Sequence, residues 1–170
     1  MNAGKSTNLL QAAHNYEEKG MKVKLYSYCS DKVSSRIGIE KKAQPFNEYT
    51  QFYGLYAGVD CILVDEAQFL TEMQVLELAD IVDNRKIPVL CYGIRTDFQG
   101  NQFSGSSKLL AIADKLVELK GVCLCGRKAT MVLRLDKDNK VVREGPQILL
   151  GREDKYEAVC RKHFNRRYGK

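Results

Sequence analysis

The chain has 170 residues, of which 44% are hydrophobic and 28% charged, with a net charge of +6: enough for one domain with a real core and a small appendage, and for an anionic partner, nucleotide or nucleic acid. No apolar run nears the roughly 20 residues of a membrane helix. The stretch after Lys5 is too polar for a secretory leader, so a cytoplasmic protein with its six cysteines reduced is expected.

The opening "MNAGKSTNLL" leads into a helix over residues 6–19. Leu9, Ala12, Ala13 and Tyr16 share one face, and Gly20 supplies a stop. "KVKLYSY" (22–28) reads as a strand. "DCILVDE" (60–66) is a short apolar run ending in two acids, as buried parallel strands do. Thr71 and Gln74 have capping-box spacing before a helix carrying Val75, Leu78, Ala79 and Val82. "IPVLCYG" (87–93) is another buried strand, and residues 106–118 repeat the helical pattern through Leu109, Leu110, Ala113 and Leu116. Helices alternating with apolar strands imply an α/β sheet with helices on its faces. The texture changes near Gly121. "VCLCG", a hairpin "ATMVLRL-DKDN-KVVRE" and "PQILLGREDKYEAVCRKHF" suggest a small lobe, so the expected division is 1–120 and 121–170.

Four features carry chemistry. Gly4-Lys5-Ser6-Thr7 at a helix start is the back half of a phosphate-binding loop. Glycine lets the backbone wrap phosphate oxygens, Lys5 can reach β- and γ-phosphates, and Ser6 can ligate Mg²⁺. Alone, the tetrapeptide also suits a helix cap with an incidental lysine. "ILVDEAQF" supplies the second element, an apolar strand ending where a P-loop protein places its Mg²⁺-directed carboxylate. Adjacent strand-end side chains diverge, so one of Asp65 and Glu66 is expected to face the metal and the other a substrate. Third, Cys123, Cys125, Cys160 and His163 offer the thiolate and imidazole set of a closed structural zinc site. Its "CLC" is one residue shorter than C-x-x-C, and plain buried cysteines are the alternative. Cys61 and Cys91 lie in apolar strands and read as core, and His14 as surface. Fourth, Phe69, Phe98, Phe103 and Tyr156 sit by loops after strands, where α/β proteins bind ligands and where an aromatic face suits a nucleobase; any one alone reads equally well as core.

Together "MNAGKST", "DEAQF", "PVLCYGIRTDFQG", "GSSKLLAIADKLVELK", "CLCGRKATMVLRL" and "DKYEAVCRKH" resemble the cytosolic-type (type II) thymidine kinase family, and "CLCGRK" is similar to its enterobacterial branch. The resemblance implies a RecA-like P-loop sheet plus a small zinc lobe carrying a lasso loop, and transfer of the ATP γ-phosphoryl group to thymidine. By motif position it makes Glu66 the general base and Asp65, with Ser6, the Mg²⁺-side group. Met1, Asn2, Ala3, Gly4, Lys5, Ser6 and Thr7 form the ATP loop. Met1, Gln68, Phe69, Ile94, Phe98, Phe103 and Val132 surround the nucleoside. Gln147, Ile148, Leu149, Leu150 and Gly151 form the lasso, with Tyr156 nearby, and zinc takes Cys123, Cys125, Cys160 and His163. A homotetramer and feedback inhibition by dTTP are implied too, with no membrane and no nucleic-acid partner.

Three departures accompany the resemblance. No strand or first glycine precedes Gly4, the family's longer loop after "LYSYCSD" is absent between Asp31 and Lys32, and Gly151-Arg152 stands where the lasso has Gly-Gly. A short apolar strand is therefore expected ahead of Met1, which becomes an internal loop residue. The rivals are a nucleic-acid-stimulated P-loop ATPase, since "DEAQ" also resembles a helicase acidic box, and a zinc-dependent nucleic-acid-binding module, favoured by the basic tail.

Overall fold

A computed structural model describes residues 3–147 and 155–168. Its first helix, α1 (Lys5–Glu17), buries Leu9, Leu10 and Ala13. It stops before Gly20, whose φ of 76° suits a glycine turn. Then come β1 (Val23–Tyr28), an antiparallel ribbon of β2 (Lys32–Ser34) and β3 (Glu40–Lys42), and β4 (Gln44–Phe46). β5 (Cys61–Asp65) leads through a 3-10 turn (Ala67–Phe69) into α2 (Glu72–Arg85), β6 (Val89–Cys91) and α3 (Ser104–Ile112). β4, β1, β5 and β6 lie in that order in one sheet, every pair parallel.

β5 is buried along its whole length because apolar clusters lie on both its faces. Cys61 and Leu63 join Leu9, Leu10 and Ala13 of α1, whereas Ile62 and Val64 join Val75, Leu78 and Ile81 of α2. The helices are therefore pinned by alternate residues of one strand. The Thr71–Gln74 capping box forms as its spacing predicts. Gln74 Nε2 also donates to the carbonyls of Asn47 and Thr50, both at 2.8 Å, which ties the loop after β4 to the start of α2.

The structure departs from the sequence-based expectation in two places. β4, which carries Pro45, joins the sheet at an edge, where a residue without an N–H is tolerated. α3 ends at Ile112 instead of running to residue 118. Leu116 and Val117 stay 61% and 69% exposed, so no burial rewards a further turn. The hairpin around "DKDN" forms with a short return arm, held by the Asp136 N–H to the Lys140 carbonyl and the Val142 N–H to the Arg134 carbonyl. Asn139 makes the turn with φ 58°, and the return arm contributes a bridge, Leu135 with Val141.

The chain divides into two units, one formed by Lys5–Ile94 and Phe103–Leu116, the other chiefly by Arg95–Gln102 and the chain from Val117 onward. The second contains β7 (Gly121–Val122), β8 (Lys128–Ala129), β9 (Met131–Leu135), β10 (Lys155–Val159) and α4 (Arg161–Tyr168). β9 pairs antiparallel with β10, and Leu133, Leu135, Val159 and Phe164 pack with Cys123 and Cys160.

Candidate active site

Gly4 takes a φ of 75°, and the helix starts at the next residue. The first N–H groups of α1 are thereby left without intrahelical partners, at the positive end of the helix dipole. Lys5 and Ser6 start the helix, and two acids at the end of β5 meet them. Ser6 Oγ lies 3.5 Å from Asp65 Oδ2, and Lys5 Nζ lies 3.7 Å from Glu66 Oε1.

Asp65 and Glu66 reach different partners, the first Ser6 and the second Lys5. Side chains alternate only while the backbone stays extended, and Glu66 is left-handed, with φ 54° and ψ 39°. The two acids consequently reach consecutive residues of one helix terminus. A non-glycine residue there carries a strain of about 1–2 kcal/mol.

Asp65 is 5% exposed, and its Oδ1 has no hydrogen-bond partner among the described residues. Burial, and next the neighbouring Glu66 carboxylate, push its pKa up to about 6 against the pull of Lys5 and Ser6. A buried, partnerless carboxylate oxygen beside a serine hydroxyl is a donor set for a hard cation, and Mg²⁺ fits it.

Around this pair the same unit gathers Gln68, which donates to Glu66 Oε2 at 2.5 Å, and Ile94, whose N–H donates to Gln68 Oε1 at 3.2 Å. Phe69 is half-buried between Tyr28, at 4.4 Å between ring centroids, and Phe103, edge-on at 5.6 Å. Thr7 lies in α1 and Ala3 precedes its first turn.

The other candidates belong to the second unit. Phe98 is buried beneath the Arg134 guanidinium, 5.0 Å from its ring centroid. Val132 is buried in β9, and Tyr156 sits on β10 opposite Arg134. The Gln147 amide donates to Asp97 Oδ2 at 2.8 Å. Met1, Asn2, Ile148, Leu149, Leu150 and Gly151 lie outside the described residues. Sequence reasoning missed Asp97, a buried acid that accepts the N–H groups of Gln99 and Asn101 as well. An aspartate two residues before a loop glutamine is an Asx-turn signal that could have marked it.

The Cys123, Cys125, Cys160 and His163 ligand atoms all lie within 4.8 Å of one another. Cys125 and Cys160 sulfurs are 3.8 Å apart, close to the edge of about 3.8 Å that tetrahedral Zn–S bonds of 2.3 Å require. Cys123 Sγ is 3.2 Å from His163 Nδ1. The Cys123 thiol is pushed down to about 6, first by the Cys125 N–H, then by the Cys160 N–H and by His163. Thiolate is thus favoured at Cys123, whereas, against the pull of the Arg127 N–H, burial and the neighbouring cysteines raise the Cys125 pKa; the shorter "CLC" spacing is no obstacle to a four-ligand cluster. The set is compatible with structural zinc.

Comparison with known proteins follows the same lines. The family model for thymidine kinase matches residues 1–164. A thymidine kinase from Shewanella oneidensis is 54% identical, aligning 96% of this chain with 92% of its own length. Those from Salmonella choleraesuis and Escherichia coli O157:H7 are 51% and 50% identical, each with 96% of this chain aligned to 86% of theirs.

Proposed function

The chain belongs to the thymidine kinase family, and on that premise we infer that it transfers the γ-phosphoryl group of ATP to the 5′-hydroxyl of thymidine, giving dTMP. The convergence of Asp65 and Glu66 on Ser6 and Lys5 is the observation that supports this best. Met1–Thr7 are assigned to the phosphates, which suit the backbone N–H groups of a helix start, and Lys5 supplies a cation to them. Ser6 and Asp65 would hold Mg²⁺, which neutralises phosphate charge when bound. Glu66 takes the hydroxyl proton, late in the transfer, because an alcohol is a far weaker acid than a carboxylic acid. Lys5 is shared between these tasks: an arriving phosphate competes with Glu66 for its ammonium.

Gln68, Phe69, Ile94 and Phe103, with Met1, Phe98, Val132 and Tyr156, are assigned to the nucleoside, and Gln147–Gly151 to a lasso whose backbone reads the base. In this assignment residues 1–120 are the P-loop RecA-like domain and 121–170 a zinc lobe. The zinc is structural, since four protein ligands leave no open position for substrate. A homotetramer, feedback inhibition by dTTP and a cytoplasmic setting complete the proposal; no described helix is long and apolar enough to cross a membrane.

The test is formation of ADP and dTMP from ATP and thymidine, with a single-stranded DNA arm for the ATPase alternative. Glu66→Gln should lower kcat by a general-base factor of ~10²–10⁴ with thymidine affinity kept. ATP hydrolysis driven by DNA without dTMP would overturn the proposal.

A further inference from the structure

A buried primary amide is costly unless both its ends are matched. Gln68 is 2% exposed, and both ends are matched. Nε2 donates to Glu66 Oε2 at 2.5 Å, and Oε1 accepts the Ile94 N–H at 3.2 Å. Ile94 is pinned in turn, because Ser106 Oγ donates to its carbonyl at 2.6 Å. Gly93 provides the room: a Cβ there would stand 3.0 Å from both Gln68 N and Gln68 Oε1. The other oxygen of Glu66, Oε1, faces Lys5 at 3.7 Å. One oxygen is therefore held by a neutral, buried amide fastened to the end of the sheet. The other is held by a cation that phosphate can draw away.

We propose that Gln68 is a positioning residue for the base: its amide fixes Glu66 Oε2, so that Oε1 is the oxygen presented to the thymidine 5′-hydroxyl once Lys5 turns to phosphate. This rests on Glu66 being the base. In the step, Oε1 takes the hydroxyl proton as the 5′-oxygen bonds to the γ-phosphorus. The bond from that phosphorus to the β–γ bridging oxygen breaks, and ADP leaves. The Gln68 amide thus works on the carboxylate even where the stem of the side chain lines the nucleoside site, and loss of the amide should appear in turnover and not in thymidine binding. Displacing a reacting group by about 1 Å can cost ~10²-fold in rate, so a loosened carboxylate is enough.

The experiment is steady-state kinetics of the full chain with ATP and thymidine. Gln68→Met keeps the volume and removes the donor; kcat should fall roughly 10- to 100-fold, the loss of one charge-assisted hydrogen bond, with the thymidine KM within about threefold of wild type. Combined with Glu66→Gln it should add almost nothing, because both act through one carboxylate. Gly93→Ala presses on the amide without removing it, and should lower kcat in the same pattern. It decides the matter if Gln68→Met does not fold: unchanged kcat in Gly93→Ala then overturns the proposal. A raised KM with kcat intact in Gln68→Met, or losses that multiply with Glu66→Gln, would also overturn it. If Glu66→Gln itself keeps full kcat, the assignment of the base fails, which is a separate result.

Discussion

Asp65→Asn should make the ligand-free protein more stable at neutral pH and inactive. Asp65 is nearly sealed from water, with one carboxylate oxygen unpartnered among the described residues, and its pKa is lifted from an ordinary 3.8 to about 6. A folded-state pKa above the unfolded value means that the folded chain binds the proton more tightly. The stability contributed by that proton is whole below pH 3.8 and is lost as pH rises through about 6. At about 1.4 kcal/mol per pH unit, the ionised carboxylate costs the fold ~3 kcal/mol at pH 8. An asparagine amide carries no charge but leaves a buried N–H group unmatched, a cost of about 1 kcal/mol. The net expectation is a gain of ~2 kcal/mol at pH 8 that shrinks below pH 6 and vanishes or reverses near pH 4. Urea unfolding of both proteins from pH 4 to 8, in buffer stripped of added magnesium, measures it. Magnesium with ATP should then raise the melting temperature of the wild type and leave the variant behind. A variant no more stable than wild type at pH 8, or a difference independent of pH, would refute the reasoning.

Other perturbations probe other parts of the structure. At Gly105 a Cβ would stand 2.4 Å from the Leu70 carbonyl oxygen and 3.0 Å from those of Ala67 and Gln68. Because these are backbone atoms, Gly105→Ala should cost about 1–3 kcal/mol by denaturant melt. It should also raise the thymidine KM, since the displaced turn carries Phe69; an unchanged melt and KM would show that α3 moves freely. Metal analysis should find about one zinc per chain, and Cys125→Ser should release it. The cluster joins positions 40 residues apart, so its loss frees a loop whose closure amounts to about 4 kcal/mol, seen as an earlier unfolding transition. A zinc-free protein with the same melting curve and the same thymidine affinity would count against a structural metal.

The sequence was most legible where local chemistry and burial agree. The β5 run and the capping box of α2 each satisfy a periodicity and a terminus rule at once. Lys5, Ser6, Asp65 and Glu66 come together as the loop and strand-end spacings suggested, 59 residues apart for Ser6 and Asp65. What escaped was set by tertiary partners. β4 is three residues long with a proline, so nothing in it announces a strand until β1 pairs with it. β9 takes β10 as a partner besides the chain that follows it, and Leu133, Leu135 and Val159 pack together there. The turn of Glu66 out of the extended region was equally hidden, because glutamate carries no left-handed signature of its own.

That backbone has a consequence for anyone breeding a sturdier variant. Selection for heat resistance rewards residues that suit a left-handed site, and glycine and asparagine do so best. Neither carries a carboxylate to place beside Lys5. A library screened on melting temperature alone should therefore drift at position 66 toward well-folded, silent proteins, and turnover must be part of the screen from the first round.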